Sequence, residues 1–333
     1  MAHITHNFVD LIGHTPLFEL HRYREARQLP GRIVAKLEQF NPAGSVKDRI
    51  AWGIIRDAEE RGALKPGDLI VDITSGNTGV ALAAIAASRG YRTKFYLSDN
   101  IAKEKLRLIH ALGSEIVLIP NLFFVDPEAL EKVTTRIQEE NPEAYFTNQL
   151  GNPANPRTHL TTTGPEIWAD TDGEIDVLVG GVGTGGTLNG SGTFLKSLKP
   201  ELRIVVAEPS LASIPSEEEP YPAEIDGVHK VTEVEAEQLP DNYNGAIVDE
   251  VVALETHDAF QTSRELAREE GLVIGTSAGA ILYAATRIAE REENRDKLIV
   301  AVFPDAGERY FSGQNFPQPV TTAYEFELAP VPA

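Results

Sequence analysis

The chain has 333 residues, of which 30 are Lys or Arg, 50 are Asp or Glu and none is Cys, so its formal net charge is −20. A composition of 42% hydrophobic and 24% charged residues is typical of a folded globular protein and excludes a disordered or collagen-like chain. The absence of Cys excludes disulfides, thiolate metal sites and a Cys nucleophile. The negative charge disfavours nucleic acids and anionic membranes as partners, because both are themselves negatively charged.

Neither a signal peptide nor a membrane-spanning segment is expected. Residues 1–6 are polar, and no apolar run approaches the roughly 18 residues needed to cross a bilayer. The expected location is therefore the cytoplasm. A length of 333 residues suggests two domains or one large α/β domain.

Short apolar runs followed by Gly-rich turns and helix-like segments recur along the chain, which predicts βα units and a mainly parallel sheet. The predicted strands cover residues 33–37, 69–73, 93–97, 115–119, 176–179, 203–207, 271–274 and 298–303. The turns lead into predicted helices over residues 80–89, residues 188–198 and a third segment that ends near residue 292. Residues 213–222, rich in Pro and Glu, are expected to form a linker, and residues 314–333 a loose tail.

The Gly-rich turn at residues 181–186 satisfies the G-x-G-x-x-G pattern of dinucleotide-binding proteins, and Glu208 follows where a ribose-binding carboxylate would stand. The physical basis of the pattern is broader, because convergent backbone N–H groups at a helix N-terminus suit any phosphate. We expect a phosphate site, with a simple tight turn as the alternative.

Residues 275–279 match the G-x-S-x-G nucleophile elbow of serine hydrolases. In that fold the catalytic His follows the Ser in the chain. The last His of this sequence is His257, which precedes Ser277, so a serine hydrolase is disfavoured.

Residues 41–50 are expected to begin a helix with Ser45 as its cap. The helix dipole and Arg49 would disfavour the ammonium form of Lys47, as in a Schiff-base lysine, whereas Asp48 would favour it. The net shift of the Lys47 pKa cannot be signed from these neighbours. An ordinary lysine in the first helical turn is the alternative.

Taken together, four segments stand in an order that resembles the cysteine synthase and cystathionine β-synthase family of fold type II pyridoxal-phosphate enzymes. They are residues 41–49, 74–79, 181–187 and 304–310, with supporting matches at 12–17, 149–156 and 162–167. The resemblance covers about residues 8–312. It implies an α/β homodimer with two domains of mainly parallel, twisted sheets flanked by helices. Residues 41–150 would form a smaller mobile domain, and residues 1–40 together with 151–313 a larger cofactor-binding domain.

By this resemblance Lys47 forms a Schiff base with pyridoxal 5′-phosphate and later removes the substrate's α-proton. Asn77 would bond the cofactor's phenolic oxygen, and Ser277 its pyridine nitrogen. A neutral partner at that nitrogen favours β-elimination over transamination. The phosphate would be held by Gly183, Thr184, Gly185, Gly186 and Thr187, and the substrate α-carboxylate by Thr74, Ser75, Gly76, Thr78 and Gln149. The histidines lack the spacing of zinc ligands, so no metal is expected.

The implied reaction is β-replacement on an O-activated L-serine through an α-aminoacrylate, with O-acetylserine and sulfide giving L-cysteine. A cystathionine β-synthase-like reaction and O-phosphoserine as donor are alternatives. A catalytically weak assembly partner or sensor that keeps the fold is a further alternative of a different class. The leaving group and the nucleophile stay open.

Two segments depart from the family pattern, at residues 98–105 and 227–231. The second offers His229 and Lys230 where a Gly-rich stretch is usual. We hypothesise that these residues form a cationic entrance that attracts an anionic substrate. The alternative is that both face solvent on a loop.

Overall fold

The computed structural model describes residues 4–74, 76–121, 127–214, 216 and 223–317. The strands of this part of the chain are β1 Leu17–Glu19, β2 Arg32–Leu37, β3 Leu69–Thr74, β4 Arg92–Ser98, β5 Glu115–Ile119, β6 Tyr145–Phe146, β7 Ile175–Gly181, β8 Arg203–Pro209, β9 Glu250–Leu254 and β10 Leu298–Phe303. The α-helices are α1 His21–Arg27, α2 Lys47–Glu60, α3 Asn77–Arg89, α4 Lys103–Ala111, α5 Pro127–Glu140, α6 Ala154–Thr161, α7 Thr163–Asp170, α8 Gly186–Leu198, α9 Thr256–Glu270 and α10 Thr276–Ala289.

The larger sheet has six strands in the order β1-β2-β10-β7-β8-β9. Its strands are parallel except β1, which pairs antiparallel with β2. β10 lies between β2 and β7 and is buried at every position, as expected for a continuous apolar run covered on both faces. Helix α10 packs against this sheet, which fixes its first turn beside the end of β10.

The smaller sheet has four parallel strands in the order β5-β4-β3-β6. All four strands lie between residues 69 and 146, whereas the larger sheet takes its strands from both sides of that interval. The predicted α/β architecture of mainly parallel sheets flanked by helices is confirmed. The domain boundaries near residues 40 and 150 stay a prediction.

One predicted strand is wrong. Residues 271–274 form no strand, and Ile274 makes a single isolated bridge to Ala306. The segment begins at Gly271, which ends α9 in the left-handed conformation with φ of 72°, and leads directly into α10. The short strands β1, β6 and β9 were not predicted, and β1 and β6 are too brief for a periodic pattern to be visible.

Helix boundaries differ from the predictions by a few residues. Helices α3 and α8 begin two or three residues earlier than predicted, inside the Gly-rich turns, and α10 ends at Ala289. Ser45 is not the N-cap of α2, which is Val46, although the Ser45 hydroxyl accepts the Lys47 N–H at 3.2 Å.

The predicted linker and tail fall largely outside the described residues. The tail does not begin as a loose segment, because Asn315 is buried and its carbonyl accepts from Arg264 at 2.8 Å. Among the described residues, no helix has the length and apolar character required to cross a membrane.

Candidate active site

A cavity of about 510 Å³ opens where β3, β7 and β10 end at their carboxyl edges. Parallel α/β sheets commonly bind ligands at such edges. The cavity brings together ten of the residues singled out from the sequence: Lys47, Thr74, Asn77, Thr78, Gln149, Gly183, Thr184, Gly185, Thr187 and Ser277. Gly76 and Gly186 lie in the same turns without lining the cavity, and Ser75 lies outside the described residues.

Lys47 is the first residue of α2, and its side chain lines this cavity. Burial lowers the pKa of Lys47, and the Lys105 ammonium lowers it further, while Asp305 and Asp226 oppose the shift. The sequence left the direction of the Lys47 pKa shift open, and in the structure the pKa is lowered. A lysine with a lowered pKa is neutral, and thus nucleophilic, over a wider range of pH.

Arg49 and Asp48 do not cause this shift. This corrects the interpretation from the sequence, in which both residues acted on the Lys47 pKa. The Arg49 guanidinium bonds Glu38 and Glu166 at 2.7 Å. The Asp48 carboxylate accepts the Ala43 N–H at 2.6 Å. Helical periodicity turns both residues away from the face that carries Lys47.

The glycines of the turn at residues 183–187 are packed too closely to accept a side chain. Gly185 has φ of 81°, and a Cβ there would stand 2.7 Å from the Tyr243 backbone nitrogen. A Cβ on Gly183 would stand 2.7 Å from the Gly227 carbonyl oxygen and 3.9 Å from Lys47 Nζ. Within the described part of the chain, the N–H groups of residues 183–187 have no protein acceptor. Such N–H groups at a helix N-terminus suit an anion, and residues 183–187 are here called the anion cradle.

A buried layer behind this cradle holds its two threonines. The Asn155 amide donates to Thr184 Oγ1 at 2.8 Å. His159 Nε2 lies 3.2 Å from Thr187 Oγ1, and its Nδ1 lies 2.8 Å from Thr163 Oγ1. Burial lowers the pKa of His159 to about 3, so its imidazole is neutral.

Asn77 is oriented by residues from the opposite end of the chain. Its amide nitrogen donates to Asp305 at 2.6 Å, and its amide oxygen accepts from Arg309 at 2.9 Å. Asp305 is fully buried and also accepts from the Tyr310 hydroxyl at 2.6 Å. These residues lie in the 304–310 segment, which sequence reasoning marked as a motif without assigning roles.

Two further elements line the same cavity. The Thr78 hydroxyl donates to Gln149 at 2.5 Å, beside the first turn of α3. The Gly76 N–H donates to the Thr74 hydroxyl at 3.2 Å. Hydroxyls, an amide and a helix N-terminus together suit a carboxylate.

The hypothesis of a cationic entrance is wrong. Lys230 is buried and does not line the cavity, because its ammonium lies 2.8 Å from Glu208. His229 lines the cavity with an exposed side chain, but desolvation within the cavity and the nearby Lys47 lower its pKa and favour the neutral imidazole. Glu208 also accepts the Val231 N–H at 2.8 Å, so it is not positioned as the ribose ligand that the dinucleotide pattern suggested.

Carboxylates that sequence reasoning missed line the same cavity: Asp226, Glu237 and Asp241. Asp226 pairs with Lys105, a residue of the departing segment 98–105. The departure was visible in the sequence, but the partner of Lys105 lies 121 residues away.

Residues 9–305 match the family model described as pyridoxal-phosphate dependent enzyme. The chain therefore belongs to this family and depends on pyridoxal phosphate, which confirms the predicted membership and cofactor. It is 43% identical over 308 residues to cysteine synthase A of Escherichia coli strain K12, covering 90% of this chain and 92% of that protein.

Solved structures of two enzymes are similar to this fold. O-ureido-L-serine synthase has 39% sequence identity and a TM-score of 0.83, with 94% of this chain and 95% of that chain covered. Cysteine synthase from Entamoeba histolytica has 36% identity and a TM-score of 0.84, with 96% and 93% covered.

Proposed function

We propose that this protein is a cysteine synthase, which replaces the acetyl-bearing oxygen of O-acetyl-L-serine by sulfide to give L-cysteine. The observation that carries the proposal is the convergence of Lys47, the anion cradle and the Thr78–Gln149 pair in one cavity. Similarity to cysteine synthase A of Escherichia coli over 90% of the chain supports the same reaction.

The residues present fit pyridoxal phosphate. The N–H groups of residues 183–187, which have no acceptor in the described part of the chain, suit its phosphate. Lys47 lines the same cavity and would link covalently to the cofactor's aldehyde. Asn77, held on both sides by Asp305 and Arg309, would bond the ring oxygen, and Ser277 the ring nitrogen. When bound, the cofactor supplies an electron sink for the bond changes at the substrate's α and β carbons.

The chain's own residues would orient the substrate and move its proton. Thr74, Thr78 and Gln149 would hold the α-carboxylate, together with Ser75 and Gly76 of the same turn. This arrangement directs the substrate's α carbon towards Lys47. Its lowered pKa lets the lysine accept the α-proton near neutral pH, because the amine is then more often neutral.

The cavity wall favours O-acetylserine over O-phosphoserine as the donor. Glu237 and Asp241 line the cavity, whereas Asp226 is neutralised by Lys105 and Lys230 by Glu208. A phosphate leaving group would carry about two negative charges into this acidic surface, whereas an acetyl group is neutral.

We further propose that the enzyme is a cytoplasmic homodimer in which residues 41–150 move relative to residues 1–40 and 151–313. The confinement of the four-stranded sheet to residues 69–146 supports this division. The Thr78–Gln149 pair belongs to the first of these units and the anion cradle to the second, and both line one cavity, so closure would bring both onto the substrate.

The test is turnover by the purified protein loaded with pyridoxal phosphate. Wild type should form cysteine from O-acetylserine and sulfide, react more slowly with O-phosphoserine, and absorb in the visible through its Lys47-linked cofactor. Lys47→Ala should lose both turnover and the covalent link, whereas Lys132→Ala, at an exposed position on α5, should keep both. Preference for serine and homocysteine would favour the cystathionine β-synthase reaction. Absence of any turnover would favour the assembly-partner alternative and overturn the proposal.

A further inference from the structure

One buried amide group joins the anion cradle to the Thr78–Gln149 pair. Asn155, the second residue of α6, is fully buried. Its amide nitrogen donates to Thr184 Oγ1 in the cradle at 2.8 Å and to the Gln149 carbonyl oxygen at 2.8 Å. An amide nitrogen carries two hydrogens, so both are used. A single side chain therefore contacts one residue that suits the cofactor's phosphate and one that suits the substrate's carboxylate.

The orientation of the Asn155 amide is fixed, because the Gln149 carbonyl can only accept a hydrogen bond. The opposite orientation would place two acceptor oxygens together. In the observed orientation, Asn155 Oδ1 is buried beside Gly186 and has no hydrogen-bond partner among the described residues. A buried oxygen without a partner costs stability, so the contribution of this side chain lies in its two N–H groups.

The bond from Asn155 determines what the Thr184 hydroxyl can do. A hydroxyl has one proton to donate, and because Thr184 accepts from Asn155, that proton stays free. In the described part of the chain this hydroxyl makes no other hydrogen bond. Thr184 also lines the active-site cavity. Its proton is therefore available to an anion in the cradle, which is the phosphate when the cofactor is bound.

The second bond from Asn155 holds the backbone of Gln149. The Gln149 carbonyl oxygen also accepts from the Asn242 amide at 3.0 Å, so both of its lone pairs are used. Asn148, the preceding residue, has a left-handed φ of 48°. The Thr78 hydroxyl donates to the side-chain oxygen of Gln149, which leaves the Gln149 amide N–H groups for a ligand. The backbone and the side chain of Gln149 are thus both fixed by neighbouring polar groups.

We propose that Asn155 is a positioning residue for both halves of the active site. It directs the Thr184 proton towards the cofactor's phosphate, and it holds Gln149 for the substrate's carboxylate. Asn155 does not line the cavity, so it acts through these two residues. The first role rests on the pyridoxal phosphate of this family. The second rests on the proposed function, which assigns the carboxylate to Gln149.

The first role is tested by the affinity of the apoprotein for pyridoxal phosphate, in a double-mutant cycle. Thr184→Val removes the hydroxyl at nearly constant shape and should weaken binding about tenfold, as expected for one charge-assisted hydrogen bond. Asn155→Ala should weaken binding severalfold. The double variant should bind no more weakly than Thr184→Val alone, because Asn155 acts on the phosphate through Thr184. A loss equal to the product of the two single effects, or wild-type affinity of Asn155→Ala, would overturn this role.

The second role is tested with L-alanine and L-alaninamide as probes of the holoenzyme at saturating pyridoxal phosphate. Both lack a leaving group, so their binding, followed by the visible absorbance of the cofactor, does not depend on the replacement reaction. Wild type should prefer L-alanine, because only this probe has a carboxylate. Asn155→Ala should reduce the preference severalfold. No preference in wild type, or the same preference in Asn155→Ala, would overturn this role.

Asn294→Ala is the matched control. Asn294 is also fully buried, donates through its amide nitrogen to the Ile288 carbonyl at 2.7 Å, and has an Oδ1 without a partner among the described residues. It follows α10 and does not line the cavity, so its loss should leave both readouts unchanged.

A second variant and the choice of readouts keep the two proposals separable. If Asn155→Ala does not fold, Asn155→Ser replaces it, because the shorter serine hydroxyl cannot reach both partners and should give the same pattern. Cofactor and probe binding are measured without turnover. Failure to form cysteine would therefore overturn the proposed function, whereas the binding measurements alone decide the role of Asn155.

Discussion

Lys105 of α4 pairs with Asp226, a residue that lines the active-site cavity. The lysine is 1% exposed, and its Cδ lies 2.5 Å from where a Cβ on Gly76 would stand. Its ammonium also lies 4.3 Å from the centre of the Tyr310 ring. One side chain therefore packs over Gly76 and holds Asp226 in the wall of the cavity.

Removing either partner of this pair should destabilise the protein, but unequally. Asp226→Asn leaves a buried ammonium without its counter-charge and should lower the free energy of unfolding by about 3 kcal/mol. Lys105→Met keeps most of the aliphatic stem and leaves a carboxylate that is 25% exposed, so about 1–2 kcal/mol is expected.

Urea unfolding of both single variants and the double variant measures this coupling. The double variant should cost less than the sum of the single variants. Lys132→Met, in the exposed pair with Glu128, should cost less than about 1 kcal/mol. Strict additivity would show that Lys105 and Asp226 do not interact in solution.

The same two substitutions should shift the Lys47 pKa in opposite directions. Lys105 lowers the pKa of Lys47, so Lys105→Met should raise it, whereas Asp226 raises it, so Asp226→Asn should lower it. At a fixed pH below the wild-type pKa, apoprotein carrying Asp226→Asn should link covalently to added pyridoxal phosphate faster, and Lys105→Met more slowly. The pH profile of the attachment rate, followed by visible absorbance, reports this order. Shifts of the same sign would refute it.

His159 should make the protein less stable as the pH falls. The folded state keeps its imidazole neutral to about pH 3, whereas the unfolded chain protonates it below its ordinary pKa of 6.5. This difference is absent above pH 6.5 and reaches about 2 kcal/mol at pH 5.

His159→Gln should therefore reduce the loss of unfolding free energy between pH 7 and pH 5 by about 2 kcal/mol. Its stability at pH 7 alone reports the cost of the lost contacts with Thr163 and Thr187. A variant with the same pH dependence as wild type would show that His159 titrates normally in the fold.

Gly185 and Gly67 form a matched pair for testing the anion cradle. Both have positive φ, of 81° and 88°, but a Cβ on Gly67 would meet nothing within 4 Å. Gly67→Ala should cost about 1 kcal/mol of conformational strain and leave the cofactor affinity unchanged. Gly185→Ala adds the contact with Tyr243 and should weaken pyridoxal phosphate binding at least tenfold, measured by titration of the apoprotein. Equal affinities would mean that the turn can relax around the added methyl group.

The local pattern of apolar residues predicted the buried strands well. It failed where pairing with a neighbouring strand decides whether an apolar run forms a strand. Residues 298–303 and 271–274 are both short apolar runs, but only the first lies between two partner strands. The second joins α9 to α10 and has no neighbouring strand to pair with. Sequence periodicity cannot separate these cases, because both segments are continuous apolar runs, although only residues 298–303 are buried throughout.

In the site, too, groups that are close in the sequence were predicted and groups that are distant in the sequence were not. The turns at residues 74–79 and 181–187 were recognisable because their chemistry is contained in consecutive residues. The groups that set the Lys47 pKa were not, since Asp305, Lys105 and Asp226 lie far from it in the sequence. Lys230 was misjudged for the same reason, because Glu208, which neutralises it, is 22 residues away.

The position of β10 in the larger sheet has a consequence for how the protein is made. Residues 298–303 are synthesised after every other described strand of the two sheets, yet they fill the gap between β2 and β7. Until then both neighbours expose an unpaired edge, and Asn77 lacks Asp305 and Arg309. A nascent chain therefore completes this site only after residues 298–309 have been made, and termination before them would release an aggregation-prone fragment unable to retain pyridoxal phosphate.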